Sequence, residues 1–276
     1  MEEMEIEQAG FGLFLARKGL SEETKKLYTL YYSKLRIIMQ GTGQDLNQEI
    51  VDAYIDLYPH IVARAFLKNY LEYRDLHFKI QKRTGRVASK EVETISDKEL
   101  HDIRQKLYEK DERYGLIFDL SEGCALRRQE AINIRAGDVS TEEIDGKLSM
   151  FILLKKTKGD KERKVFVHEE TAVNLVKFMA GNNLTKASYL FRSNANHDRH
   201  IEKSQWNKAF SEASFLATGK RYHPHQLRHT RSLKWFDKGV DIVRIQQRLG
   251  HNSIATTRKY INPDKRKELE KWSKEE

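Results

Sequence analysis

Residues 79–93 read KIQKRTGRVASKEVE. A run this rich in Lys and Arg and this poor in large apolar side chains does not belong inside a hydrophobic core, where each buried cation would need a partner. It therefore divides the chain, and the apolar patterns before and after it must build separate cores. The 276 residues suffice for one large core or two modest ones, and the interruption selects two. We expect a helical domain over residues 1–78, an exposed basic linker over 79–93, and a second domain over 94–276 that ends in a tail helix.

The first segment reads as helical. Ser21 caps a helix whose first turn carries Glu22 and Glu23, at the end where the helix dipole favours negative charge. Leu27, Tyr31, Leu35 and Ile38 follow at helical spacing, and Gly41 and Gly43 close the segment. Ile50, Val51, Tyr54 and Leu57 predict a second short helix, stopped near Pro59, and Val62, Phe66, Tyr70 and Tyr73 a third. Beyond the linker, SDKE at 96–99 is a capping box with Leu100, Ile103 and Leu107 striped behind it. Residues 150–155 (MFILLK) and 164–167 (KVFV) are β-prone, with Gly159–Asp160 available for a turn between them. Helical periodicity returns over 172–178, 206–215 and 242–249. The expected fold class is mainly α with a small β hairpin in the second domain.

The net charge is +9, from 50 Lys+Arg against 41 Asp+Glu. Much of that charge is solvated helix face, but the excess favours a polyanionic partner, because nucleic acid rewards many weak phosphate contacts at once. Lys82, Arg83 and Arg86 in the linker are candidates for such contacts. The single cysteine, Cys124, excludes an intramolecular disulfide and gives no reason to invoke an oxidising compartment. The acidic N-terminus lacks the features of a secretory signal, and no apolar run is long enough to span a membrane. The expected location is the cytoplasm.

Chemistry-bearing residues recur in distinctive settings. Arg127 and Arg128 lie in GCALRRQEAI (123–132), where an apolar segment meets a helix start. Either can hold a planar fork of donors toward two phosphate oxygens. Lys158, with Lys155, Lys156 and Lys161 as rivals, occupies the hairpin tip, from which a lysine can protonate a leaving oxygen. In HPHQLRHT (223–230), a helix begun at Pro224 puts His225 and Arg228 on one face. A rival reading makes His223, His225 and His229 metal ligands. No Glu follows His225 as in HExxH, and no CxxC pair or carboxylate cluster completes a ligand set, so we expect no metal. His251 follows Leu249–Gly250, where glycine can end a helix, and Tyr260 lies downstream in a short helical segment.

Together these segments resemble the tyrosine recombinases of the phage-integrase family, of Xer/integrase type. HQLRHT (225–230) is similar to that family's HxLRHT box, and RLGHNSIATTRKY (248–260) to its LGHxxIxTTxxY ending. LRRQEAINI (126–134) resembles the (G/A)LRxxELxxL box, which selects Arg127 over Arg128 because two residues then separate it from Glu130. TKGDKER (157–163) resembles the GKGxKxR hairpin and selects Lys158. FLARKGLSEETKKLY (14–28) resembles the opening of the family's core-binding domain, so the likeness runs along nearly the whole chain. There are departures: the wording around Cys124 differs from TGLR, VFVHEE (165–170) replaces a VPL pattern, and Arg231 stands where a phenylalanine or small residue is usual.

The resemblance implies a two-domain DNA clamp, a helical core-binding domain joined to an α+β catalytic domain. It implies that Tyr260 attacks a phosphodiester of site-specific duplex DNA and forms a 3′-phosphotyrosyl link, without metal, ATP or other cofactor. Arg127 and Arg228 would grip the non-bridging oxygens and Lys158 would protonate the leaving 5′-oxygen. His225 and His251 would assist the tyrosine or hold the phosphate, with Glu130 orienting the clamp. It further implies a homotetramer on DNA assembled from a chain monomeric in solution, and a nucleoid-associated protein of prokaryotic, viral or plasmid origin. Leu269 and Trp272 in the tail are candidate anchors in a neighbouring protomer. A type IB topoisomerase shares this chemistry and is the nearest rival; a noncatalytic DNA-binding regulator on the same fold and a metal-dependent nuclease are the others.

Overall fold

The computed structural model describes residues 2–81, 93–155, 162–254 and 256–257. The chain forms two compact units, Met1–Lys90 and Glu91–Glu276.

The first unit is helical among its described residues: α1 Glu2–Arg17, α2 Glu22–Thr42, α3 Gln48–Leu57 and α4 Ile61–Tyr73. Ser21 caps α2, its hydroxyl accepting from the Thr24 amide, and Asn47 caps α3 by accepting from the Ile50 amide. Helix α2 runs through Gly41 and stops only at Gly43, whose φ of 66° is the left-handed ending that glycine adopts without a Cβ penalty. The buried face of α2 is Tyr28, Tyr31, Tyr32, Leu35 and Met39. It is therefore rotated from the stripe expected by apolar counting, and Leu27 remains 38% exposed. The reason is the aromatic character of this core. Phe66 stacks on Tyr70 with centroids 5.7 Å apart, and Phe11 meets Tyr70 edge-on at 5.4 Å, contacts worth about 0.5–1.5 kcal/mol each beyond simple burial.

Buried tyrosines bring hydroxyls that need partners. Tyr54 donates to the Tyr31 carbonyl at 3.1 Å. Tyr32 and Tyr70 donate to the two carboxylate oxygens of Glu7 at 2.8 and 2.7 Å. Arg74 pairs with the same carboxylate and Arg36 approaches it at 3.8 Å, so one side chain of α1 gathers α2 and α4. Burial raises the Glu7 carboxyl pKa, but the hydrogen bonds from Tyr70 and Tyr32 and the charge of Arg74 outweigh it and hold the group below its ordinary value of 4.5.

The second unit opens with α5 Asp97–Lys110 and α6 Glu112–Gly123, continues through α7 Arg128–Asn133, a 3-10 turn at Ala136–Asp138, and strands β1 Val139–Ile144, β2 Lys147–Leu154 and β3 Arg163–Val167, and closes with α8 Glu169–Gly181, α9 Lys203–Thr218, α10 Pro224–Asp237 and α11 Ile242–Leu249. The expected capping box forms: the Glu99 amide donates to Ser96 Oγ at 3.3 Å and the Ser96 amide to Glu99 Oε2 at 2.9 Å. The described strands make a three-stranded antiparallel sheet in the order β1-β2-β3. Met150, Ile152, Leu154, Val165 and Val167 turn inward from β2 and β3, and α8 packs on β2. Strand β1 was not expected. It is joined to β2 by Asp145–Gly146, with φ of 51° and 73°, the paired positive values of a tight hairpin turn. In the core Trp206 meets Phe210 at 5.5 Å and Phe210 stacks on Phe118 at 6.3 Å, and Phe191, Leu116 and Ile103 belong to the same buried cluster. The fold is thus mainly α with a small sheet. Among the described residues no helix is long and apolar enough to cross a membrane.

The Glu7 network generates a pH dependence. Between the lowered folded value and 4.5 the unfolded chain binds more protons than the folded one, so this contribution is complete above pH 4.5 and is lost as pH falls through the folded value. Glu7→Gln should destabilise the first unit by about 2 kcal/mol at pH 7, as two hydroxyls and a guanidinium lose a charged acceptor, and should flatten its acid sensitivity. Hydrogen exchange of the α4 amides in the full chain, at pH 7 and pH 4, measures both; unchanged protection at pH 7 would show the network to be energetically neutral.

Candidate active site

Helix α6 ends in a turn of two reciprocal hydrogen bonds: the Ala125 amide donates to Glu122 O at 3.4 Å and the Leu126 amide to Ser121 O at 3.2 Å. This ending places Ala125 at φ 52°, a conformation that glycine usually supplies. The turn delivers Arg127 to the N-cap position of α7 in extended conformation. Three residues later Glu130 reaches back, and its Oε2 accepts from the Arg127 amide at 2.7 Å, satisfying one of the unpaired donors of a helix start.

Glu130 is 6% exposed and is surrounded by guanidinium groups. Arg127 Nη1 donates to its Oε1 at 3.0 Å. Arg163 on β3 grips both oxygens, Nη1 to Oε1 and Nη2 to Oε2, each at 2.8 Å. Arg228 Nη1 lies 3.7 Å from Oε2. Burial raises the Glu130 pKa, yet Arg163, the Arg127 amide and Arg228 together bring it below the ordinary carboxyl range, so the side chain is an anion.

Arg228 is fully buried. Helix α10 starts with Pro224 at its first position, and the Gln226 side chain accepts from the His223 amide at 2.7 Å. One turn in, Arg228 donates from Nη1 to Ala125 O at 2.8 Å and from Nη2 to Leu249 O at 2.6 Å. Nη2 also donates to His251 Nε2 at 3.1 Å. A guanidinium has no acceptor, so the network assigns the His251 proton to Nδ1, which faces Thr257 Oγ1 at 3.0 Å. His251 is placed by Gly250, whose φ of 65° turns the chain at the end of α11. A side chain at Gly250 would also press on Arg163, whose Nη1 lies 3.0 Å from where a Cβ would stand.

His225 also lies on α10 and keeps an exposed edge. The crowding of protein around its ring, then the charges of Arg228, His229, Arg127 and Arg128, lower its pKa from 6.5. At neutral pH it is an uncharged imidazole, able to accept a proton. Cys124 is inert by contrast: burial pushes its thiol up to about 12, and Sγ donates to Phe166 O at 3.2 Å. Among the described residues no group of three or more His, Cys, Asp or Glu is disposed to hold a metal ion.

The structure thus brings Arg127, Glu130, Arg228 and His251 into one network, with His225 under the influence of both arginines. Lys158, Tyr260, Lys82, Arg83 and Arg86 lie outside the described residues, as do Gly159–Asp160 and the candidate anchors Leu269 and Trp272. Two participants were missed. Arg163 closes the hairpin segment TKGDKER and was legible there as its last residue; besides holding Glu130, its Nε donates to Arg248 O at 3.0 Å. Thr257 was legible as the second threonine of the segment that matches LGHxxIxTTxxY. Chemically, the arrangement offers rigid cationic forks and, in His225, a neutral imidazole, the equipment for stabilising charge and moving a proton at a transferring phosphoryl group.

Comparison with known proteins agrees with this geometry. The family model described as the phage integrase family matches residues 87–267. The tyrosine recombinase XerA of Pyrococcus furiosus is 25% identical over 258 residues, covering 91% of this chain and 87% of that protein. A crystal structure of XerA recombinase superposes with a TM-score of 0.57 at 22% identity over 98% of both chains. A lambda integrase tetramer bound to a Holliday junction gives 0.65 at 15% identity, over 94% of this chain and 77% of that one. At such identities the superpositions speak for the fold.

Glu130→Gln should expose what the carboxylate contributes. Removing the anion leaves buried guanidinium groups uncompensated, a loss of about 3 kcal/mol or more. Urea unfolding followed by tryptophan fluorescence reports the second unit alone, because Trp206, Trp235 and Trp272 all belong to it. A loss under about 1 kcal/mol would mean that solvent relieves the arginines and that the buried network is not what holds them.

Proposed function

The chain belongs to the phage integrase family, and on that footing we propose that it cleaves and rejoins duplex DNA at specific recombination sites through a 3′-phosphotyrosyl intermediate. The observation that carries this reading is the convergence of Arg127, Arg228 and His251 around Glu130, with Arg228 Nη2 3.1 Å from His251 Nε2.

In this reading Tyr260 Oη attacks the phosphorus, and the bond from phosphorus to the 5′-oxygen breaks. Lys158 protonates that oxygen as it leaves, and His225, neutral in the free enzyme, takes the phenolic proton. Arg127 and Arg228 hold the non-bridging oxygens as charge builds on them, and His251, accepting from Arg228 at 3.1 Å, keeps that guanidinium in place. A free phenol ionises only near pH ~10, so proton removal and charge stabilisation must act together. The new phosphate ester retains the energy of the old one, so rejoining requires neither ATP nor metal. A different 5′-hydroxyl attacking the phosphotyrosine gives recombination.

Residues 1–78 and the catalytic domain of residues 94–276 would each contact DNA, with Lys82, Arg83 and Arg86 of the linker on phosphates. The solved neighbour that is a tetramer on a Holliday junction supports a homotetramer on DNA here. A cytoplasmic, DNA-associated location accords with the Pyrococcus furiosus relative.

Tyr260→Phe should bind its site with unchanged affinity and form no covalent adduct on a nicked suicide substrate, and a two-site substrate should yield recombinants with the native chain only. An adduct in the variant would remove Tyr260 as nucleophile; relaxation without recombinants would move the protein to the topoisomerases. The lowered His225 pKa sets a second outcome. The acid limb of kcat/KM for cleavage, which reports free-enzyme groups, should fall below 6.5, because His225 stays an acceptor until it is protonated. A limb above 6.5 would assign that proton to another group.

A further inference from the structure

We propose that Arg231, seated on His168, is a positioning residue: it holds the turn at the end of α6 from which Arg127 projects. This rests on Arg127 being a phosphate clamp, as proposed above.

The turn needs holding. Ala125 is in the left-handed region at φ 52°, where a Cβ crowds the following carbonyl oxygen. Its geometry nevertheless sets the start of α7 and therefore the direction of Arg127. Across from it, α10 presents Arg228 and Arg231, three residues apart and on one face. Arg228 Nη1 donates to Ala125 O at 2.8 Å, and Arg231 Nε donates to Gly123 O at 3.2 Å. Two guanidinium groups thus bracket the strained residue by the carbonyls at 123 and 125. The Gly123 carbonyl belongs to the negative end of α6, where cations are favoured.

The far end of Arg231 is fixed as well. Its Nη2 donates to His168 Nε2 at 2.9 Å, and its Nη1 lies 3.7 Å from Glu122 Oε1. His168 joins β3 to α8, and its ring meets Phe166 at 5.7 Å in an edge-on contact. Because a guanidinium only donates, this contact requires an unprotonated Nε2. Burial lowers the His168 pKa, and Arg231 lowers it further, which keeps that nitrogen an acceptor. The Arg231 side chain is 14% exposed, and the donors named here point into the fold. Cys124 and Arg231, at both of which the chain departs from the family pattern, meet at this one place. The Ala125 methyl lies with Ile245 and Leu249, so a slip of the turn would also disturb the end of α11 and His251.

The test follows cleavage of a nicked suicide substrate under single turnover, DNA affinity by anisotropy, and exchange of the Leu126 amide, all in the full chain. Arg231→Phe should slow adduct formation about tenfold or more, leave DNA affinity within about threefold, and speed Leu126 exchange. Adding Ala125→Gly, which supplies a residue at ease with positive φ, should restore several-fold of the lost rate. His168→Gln, which keeps an accepting atom, should retain more of the rate than His168→Phe; this pair carries the test should Arg231→Phe fail to fold. Native rates in Arg231→Phe, equal rates in the two His168 variants, or a defect that lies wholly in DNA affinity and ignores Ala125→Gly would overturn the proposal. If the native chain forms no adduct, the functional reading fails, while Leu126 exchange still decides whether Arg231 braces the turn.

Discussion

One buried carboxylate organises the second unit. Glu130 stands 6% exposed among Arg127, Arg163 and Arg228, and none of the four is easily placed without the others. Guanidinium groups gathered this closely repel one another, and a buried carboxylate alone would take up a proton. Together they offset each other's desolvation. Geometry completes the exchange: the bidentate grip of Arg163 fixes the plane of the carboxylate, which leaves Oε1 aimed at the Arg127 guanidinium and Oε2 at its amide. Segments far apart in sequence, the start of α7, strand β3 and helix α10, are thereby fastened at a single point.

The first unit uses a related device to a different end. Glu7 too is a carboxylate that gathers helices, but its principal donors are the neutral hydroxyls of Tyr32 and Tyr70. A core built from tyrosines must dispose of its phenolic hydrogens, and an acceptor with two oxygens does so for two rings at once. Glu7 thus makes an aromatic core affordable, whereas Glu130 makes a cluster of cations possible. Only the second arrangement leaves positive groups poised for an anion.

Much of this was legible in the sequence, for identifiable reasons. Helix starts at Ser21 and Ser96 were readable because capping is local chemistry between residues three apart, and the stop at Gly250 because a left-handed ending favours glycine. His225, Arg228, His251 and Arg127 stood out because their boxes are dense with residues that ordinary helices do not need together. Strand β1 was missed because VSTEEI carries one inward residue, Val139, and reads as a polar loop; the Asp145–Gly146 pair was the signal that went unused. Of the α2 stripe, Tyr31 and Leu35 are buried as their spacing predicts, but Tyr28 and Met39 take the places expected of Leu27 and Ile38, because this core is built of aromatic rings. Arg163 was overlooked because its role is tertiary: no local pattern says that a strand arginine will meet a carboxylate at the head of a helix 33 positions away.

The burial of Arg228 bears on how such a site can work at all. Arg228 is tied to two main-chain carbonyls, Ala125 O two residues before Arg127 and Leu249 O two residues before His251, and to His251 besides. A lysine at this position would keep the charge but has no planar fork with which to span both carbonyls. Arg228 therefore sets the separation between Arg127 and His251 as well as carrying charge of its own. A group that has already given up its hydration to the fold incurs little reorganisation when charge appears nearby, and that is the condition under which fixed donors stabilise a transition state better than water does. Arg127, at 30% side-chain exposure, meets the solvent side; Arg228 is the floor against which it is measured. The division follows from where each lies in the chain: Arg127 caps the start of a short helix and must face outward, while Arg228 lies a full turn inside α10 on its buried face.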